Sequence, residues 1–173
     1  MMSSASPPPE TLIKTLGLQP HSIEGGYFRE TYHSVESIDS AALPDRYAGP
    51  RAHSTAIYYL LTPNTFSAMH RLASDEIFHF YAGGPVEMLL LRPDGTHSVI
   101  VIGSDIERGE SPQVVIPRGV WQGCRLVPGR EYALMGTTVA PGYDPSDYQH
   151  GDRAELTSRY PECAEMIERL TRA

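Results

Sequence analysis

What most constrains this chain is its punctuation. Short runs rich in β-branched and aromatic residues recur between turn signals, and no long helical stretch separates them. Ser54–Leu61 (Ser-Thr-Ala-Ile-Tyr-Tyr-Leu-Leu) stops at Thr62-Pro63-Asn64. Val86–Arg92 stops at Pro93-Asp94-Gly95, and Ser98–Ile102 follows, so that turn closes a hairpin. Gln113–Ile116, Trp121–Leu126 and Tyr132–Val139 continue the series, with Pro128-Gly129-Arg130 turning between the last two. Tyr27–His33 alternates as a strand after Gly25-Gly26, a pair that permits a tight turn. Fifteen glycines and fifteen prolines in 173 residues supply the corners. Roughly eight or nine short strands at this spacing predict an all-β sandwich or barrel.

Helices are confined to the ends. Pro9–Leu16 carries an apolar stripe of Leu12, Ile13 and Leu16, with Gly17 just beyond it. Asp152 and Glu155 have capping-box spacing, and Pro161 opens a last helix with Cys163, Ile167 and Leu170 on one stripe. Residues 1–9 read as a mobile tail and 10–173 as a single domain. Val35–Gly49 reads as a loop or a partly mobile hairpin.

Composition narrows the function classes. The net charge is −7 and Lys14 is the only lysine; the arginines form no basic run, which argues against nucleic acid. No uncharged apolar run is long enough to cross a membrane, and the N-terminus lacks the pattern of a signal peptide. Two cysteines, Cys124 and Cys163, make no disulfide framework, so a cytoplasmic setting is expected.

The chemistry concentrates in Ser67–Gly83, two strands joined at a polar bend, Ala73-Ser74-Asp75. Alternation places His70 and Leu72 on one face, and Glu76, Phe78 and Phe80 on one face of the next strand. Antiparallel pairing through the bend is expected to bring His70 and Glu76 into one pocket. His70, Glu76 and Gly83 fit the first sequence motif of the cupins, although Leu72 stands where a second His belongs. Pro117-Arg118-Gly119-Val120-Trp121-Gln122 fits the frame of the second motif, with Gln122 in place of its His.

The chain also resembles, more specifically, the cupin-5 group of RmlC-like jelly rolls. Glu24-Gly25-Gly26-Tyr27-Phe28-Arg29-Glu30-Thr31-Tyr32, Ile57–Leu61, His70-Arg71-Leu72, Ser74–Tyr81, Val115-Ile116-Pro117, Trp121-Gln122 and Val139–Tyr143 carry that likeness. It implies a double-stranded β-helix, that is, a cupin jelly-roll barrel with short flanking N- and C-terminal helices. It also implies a homodimer and a small-molecule ligand in the barrel.

His70 suits proton transfer near neutral pH, with Glu76 tuning it. Gln122 suits a substrate oxygen, and Phe78 shares the face of Glu76. Arg71, with Arg118, suits an anionic substrate. Glu24 and Tyr27 flank the glycine pair, where backbone can approach a ligand. His79 falls on the face opposite Glu76 unless a bulge turns it inward. Plain packing stays open beside each role: a hydrogen-bonded core histidine, a structural ion pair, surface arginines, and Trp121 and the tyrosines as core.

Three functions follow as expectations. The first is metal-independent isomerase, epimerase or dehydratase chemistry on a sugar-like or carboxylated carbonyl metabolite, with no cofactor required. The second is a weakly bound divalent metal on His70, Glu76 and Gln122, giving an oxygenase or hydrolase. The third is ligand binding without turnover.

Overall fold

The computed structural model describes residues 7–172. In chain order the elements are helix α1 (Pro9–Leu16), strands β1 (Gln19–Pro20), β2 (Tyr27–His33), β3 (Ser37–Ile38), β4 (Arg51–Ala52), β5 (Thr55–Leu61), β6 (Phe66–Leu72) and β7 (Asp75–Gly83). There follow β8 (Val86–Leu91), β9 (His97–Ile102), β10 (Gln113–Ile116), β11 (Trp121–Leu126), β12 (Ala133–Ala140), β13 (Tyr148–His150), α2 (Arg153–Arg159) and α3 (Ala164–Arg169). Two antiparallel sheets enclose the interior. One runs β1-β2-β5-β12-β7-β10 and the other β13-β6-β11-β8-β9. This is a jelly-roll barrel. The first six residues of the expected N-terminal tail lie outside the described residues; Pro7 and Pro8 precede α1.

Strand alternation divides the interior into two halves. The register pairs Thr55 with Val139, Ile57 with Thr137, Tyr59 with Met135 and Leu61 with Ala133. All eight side chains point inward. Tyr59, Leu61, Met135 and Ala133 join Phe78, Met88, Leu90, Ile116 and Cys124 in a closed hydrocarbon core. Thr55, Ile57, Thr137 and Val139 instead line a cavity at the other end. One end of the barrel is therefore packed and the other is open.

The helices seal the outer faces. Leu12, Ile13 and Leu16 of α1 pack with Leu18, Tyr132 and, on the six-stranded sheet, Leu60. Leu156, Ile167 and Leu170 cover Met69, Leu89, Leu91 and Trp121 on the other. Each such buried side chain contributes about 1.5–3 kcal/mol. Asp152 caps α2 by accepting from the Glu155 N–H at 2.8 Å.

Two expectations need correction. β6 and β7 do not pair through the Ala73-Ser74-Asp75 bend; they belong to different sheets. The bend is a barrel corner, because both strands bury their inward face and stay closest to sequence-distant partners, β11 for β6 and β12 for β7. The expected last helix opens as a 3₁₀ turn at Pro161–Cys163 and becomes α-helical only at Ala164. The Val35–Gly49 segment contains β3, which pairs with β4, and a 3₁₀ turn at Ser40–Ala42.

Candidate functional site

The open half of the barrel holds a cavity of about 380 Å³. His70 comes from β6 on one sheet and Glu76 from β7 on the other, facing across the interior. The His70 Nδ1–H donates to the Ala68 carbonyl at 2.7 Å, which leaves the Nε2 lone pair for the cavity in the neutral ring. Nε2 lies 3.9 Å from Glu24 Oε2 and 4.0 Å from Glu76 Oε2. Tyr148 stacks on the His70 ring at 5.1 Å and fixes its plane.

Each carboxylate is held by a neutral donor. The Gln122 amide donates to Glu76 Oε2 at 2.7 Å, and the Ser67 hydroxyl donates to Glu24 Oε1 at 2.6 Å. Glu24 sits on a loop whose backbone Gly25 shapes. Gly25 has φ +105°, and a Cβ there would stand 2.2 Å from the Phe66 carbonyl oxygen. Burial raises the Glu76 carboxyl above its ordinary range; His70 opposes the shift and Glu24 adds to it. Burial, then Glu24 and Glu76, push the Tyr143 phenol up to about 12, so it keeps its proton at neutral pH. At the rim, the Ser146 hydroxyl and backbone N–H hold Asp144 below the usual carboxylate range.

Of the residues singled out from sequence, His70, Glu76 and Glu24 line the cavity. Gln122 does not line the cavity; it stands behind Glu76, to which one of its amide N–H groups donates. Phe78 belongs to the closed core, 1% exposed, because two residues past Glu76 the strand has passed the cavity floor. Tyr27 points outward onto the α1 cluster, and Phe28 takes the inward place. Arg71 also points outward: it lies over Trp121 at 4.5 Å and donates to Gln149. Arg118 is exposed at the surface. His79 faces away from the cavity, bonded to Thr138 and Gln113.

Seven further polar side chains of the wall escaped the sequence reading: His21, Glu30, His33, Thr55, Thr137, Tyr143 and Asp144. His33 is turned inward by a register shift between Glu30 and Tyr32, which alternation alone does not reveal. His21 and Tyr143 lie on loops, where no periodicity applies. Their signal was proximity to Glu24-Gly25-Gly26 and to Pro141-Gly142.

The four ligand positions of a metal-binding cupin are only half matched here. Leu72 contributes hydrocarbon, and the Gln122 amide is turned to donate to Glu76. Among the described residues no three His, Cys, Asp or Glu side chains cluster in metal-holding geometry. The donor set does not fit the four-ligand site.

A two-sheet antiparallel barrel, closed at one end and carrying an inward His and Glu on facing strands at the other, is a cupin-type jelly roll. The chain belongs to the Cupin_5 family of the cupin superfamily (DUF985), which it matches over residues 10–151. It is 33% identical over 133 residues to the uncharacterized protein YML079W of Saccharomyces cerevisiae, a match covering 72% of this chain and 66% of the yeast protein. A hypothetical protein from Leishmania major superposes with a TM-score of 0.85 at 29% identity, covering 96% of this chain and 100% of that one. Protein SO0799 from Shewanella oneidensis gives the same score and identity, over 96% and 99%. Oxalate decarboxylase from Bacillus subtilis shares the fold at a TM-score of 0.53 and 14% identity, covering 88% of this chain and 37% of the enzyme. Among the described residues no helix is long and apolar enough to cross a membrane.

Proposed function

We propose that this chain is an acid–base enzyme of the isomerase or epimerase kind, acting on a small neutral carbonyl compound without a resident metal. The observation that carries this reading is the fixed ring of His70, whose Nε2 lone pair meets the cavity between Glu24 and Glu76 at 3.9 and 4.0 Å. Nε2 takes a proton from the carbon beside the carbonyl, and the C–H electron pair moves to form an enolate. The two carboxylates stabilise the imidazolium so formed. The proton then returns to carbon, and nothing is oxidised or reduced. Among the described residues no lysine or arginine lines the cavity, while Glu24, Glu30, Glu76 and Asp144 do, which favours a neutral substrate over a carboxylated one.

Hydrogen exchange at carbon tests this with a panel of compounds rather than a single substrate. Neutral aldoses, ketoses and hydroxyketones are incubated with the protein in D2O, and deuterium entering the carbon beside the carbonyl is followed by NMR. Wild-type protein is expected to catalyse exchange, and His70→Ala to lower it by roughly 10²–10⁴-fold with the fold intact. Equal rates in both, or no exchange with any compound, defeat the proposal. A ligand recovered bound and unaltered would favour simple binding. A stoichiometric transition metal in untreated protein would favour a metal enzyme.

A further inference from the structure

The loop His21–Gly26 is closed on itself: the His21 N–H donates to Gly26 O and the Gly25 N–H to His21 O, both at 2.9 Å. From outside, Arg172 donates to the Ser22 and Ile23 carbonyls and holds the loop to the barrel. Inside it, the Glu24 N–H donates to His21 Nδ1 at 3.0 Å. A backbone N–H has no lone pair, so Nδ1 is the acceptor and the proton of the neutral ring sits on Nε2. The ring rests on Phe28 with centroids 4.7 Å apart, and both side chains line the cavity. Among the described residues Nε2–H has no protein acceptor.

His70 carries the opposite tautomer, with Nδ1–H tied to Ala68 O and Nε2 bare. His70 and His21 thus give the cavity one imidazole fixed as an acceptor and one fixed as a donor, each oriented by backbone. Of the other donors nearby, the Gln122 amide gives one N–H to Glu76 and the Ser67 hydroxyl donates to Glu24, while the Tyr143 phenol also keeps its proton on the cavity wall. The carboxylates only accept when ionised.

We infer that His21 is a catalytic residue, its Nε2–H binding the substrate's carbonyl oxygen and the enolate oxygen that forms there. This rests on the acid–base reading and deepens it. The ring keeps its own proton throughout, as a hydrogen-bond donor, while the proton removed from carbon travels on His70. The substrate class follows: an enolisable aldehyde or ketone whose carbonyl oxygen lies toward His21 and whose acidic C–H lies toward His70.

Two substitutions separate the donor from a merely structural cap. In His21→Asn the side-chain oxygen replaces Nδ1 and still accepts from Glu24 N–H, but nothing replaces Nε2–H. In His21→Gln the amide reaches the Nε2 position, but the Glu24 N–H is left uncapped. We expect Asn to keep the melting temperature and lower kcat for exchange by about 100-fold or more, the usual effect of losing one oxyanion donor. Gln should melt earlier yet retain more turnover than Asn. The reverse ranking, with Asn active and Gln inactive, makes His21 a cap alone and overturns the inference. Long-range ¹H–¹⁵N NMR at about pH 8.5, above the ordinary imidazole range, should show His21 protonated at Nε2; protonation at Nδ1 overturns the inference whether or not the protein turns over. Should wild-type protein catalyse no exchange, the acid–base reading fails and the tautomer spectrum still decides whether the donor is present.

Discussion

Gln122 and His70 stand opposite each other in the β6–β11 ladder, yet the Gln122 amide reaches across the barrel to Glu76 at 2.7 Å. A residue in the position of a cupin metal ligand thus serves as a strut between the two sheets. Its other polar side-chain atom, Oε1, is buried without a partner among the described residues. The strut is polar on both ends and satisfied on one.

Removing it should expose what it does. Gln122→Ala leaves the buried Glu76 carboxyl short of a charge-assisted donor, a loss of about 1–3 kcal/mol. Urea unfolding should show a lower midpoint with an unchanged slope. An unaltered midpoint would mean that the contact contributes nothing net.

Glu76 itself should make stability depend on pH. Its carboxyl is raised in the folded protein by burial, with Glu24 adding to the effect. The sign follows from linkage: the folded state binds a proton more tightly than the unfolded chain. Stability from that proton is complete below the ordinary carboxylate range and is lost as pH rises through the raised folded value. Glu76→Gln keeps an acceptor for Gln122 and removes the ionisation. It should therefore be more stable than wild type at neutral pH, with the difference closing as the solution is acidified. Denaturant titrations at about pH 4 and pH 7.5 bracket the ordinary carboxylate and neutral ranges. A constant gap between the two proteins would contradict the assignment.

The barrel was legible because alternation and turn chemistry act locally. Thr55–Leu61 and Ala133–Ala140 fall within a residue of the strands expected from their β-branched and aromatic runs. His70, Glu76 and Glu24 were legible because motif spacing, or a Gly-Gly bend, marked them. Depth was not legible: Glu76 and Phe78 share a face, but only the three-dimensional stacking of Tyr59, Met135 and Phe78 shows where the cavity ends. Proximity to the glycine pair misled at Tyr27, where the inward side chain is its neighbour Phe28. Arg71 sits between two inward residues, His70 and Leu72, so the same alternation that placed those two put the guanidinium on Trp121 outside.

Asp147 anchors the rim. Its carboxylate takes two hydrogen bonds from Arg51, at 2.6 and 2.7 Å, and both side chains are 4% exposed. This pair ties the 3₁₀ turn after Asp144 to β4. Asp147→Ala strands a buried guanidinium and should cost about 3–5 kcal/mol. The double variant Asp147→Ala with Arg51→Met, which removes both charges, should recover part of that loss in chemical denaturation. No recovery would place the cost elsewhere than in the unpaired charge.

Gly25 offers a cleaner test of how Glu24 is placed. Alanine there meets both a φ of +105° and the Phe66 carbonyl oxygen at 2.2 Å. Gly95 has φ +89° with nothing within 4 Å of an added Cβ. Gly95→Ala should therefore cost only the backbone strain, about 1 kcal/mol. Gly25→Ala should cost clearly more and should impair deuterium exchange, because Glu24 must move with the loop. Equal destabilisation of the two variants would remove the steric argument.

The charge lining the cavity should decide which ligands enter. Arg71 and Arg118, expected from sequence to meet an anion, are both outside. Glu24 and Glu76 are instead close enough to act together on Tyr143, raising it beyond what burial alone does. A carboxylate brought into this space gains no cationic partner among the described residues and meets two negative groups. For any neutral carbonyl compound the protein accepts, the analogue bearing an added carboxylate should bind at least about 10-fold more weakly, a difference of about 1.4 kcal/mol. Glu24→Gln should narrow that ratio, since it removes one of the opposing charges without emptying its volume. Calorimetric titration of matched neutral and acidic sugars measures both effects. Tighter binding of the acid in wild-type protein would mean that the cavity holds a positive charge, and would return the anionic substrates to consideration.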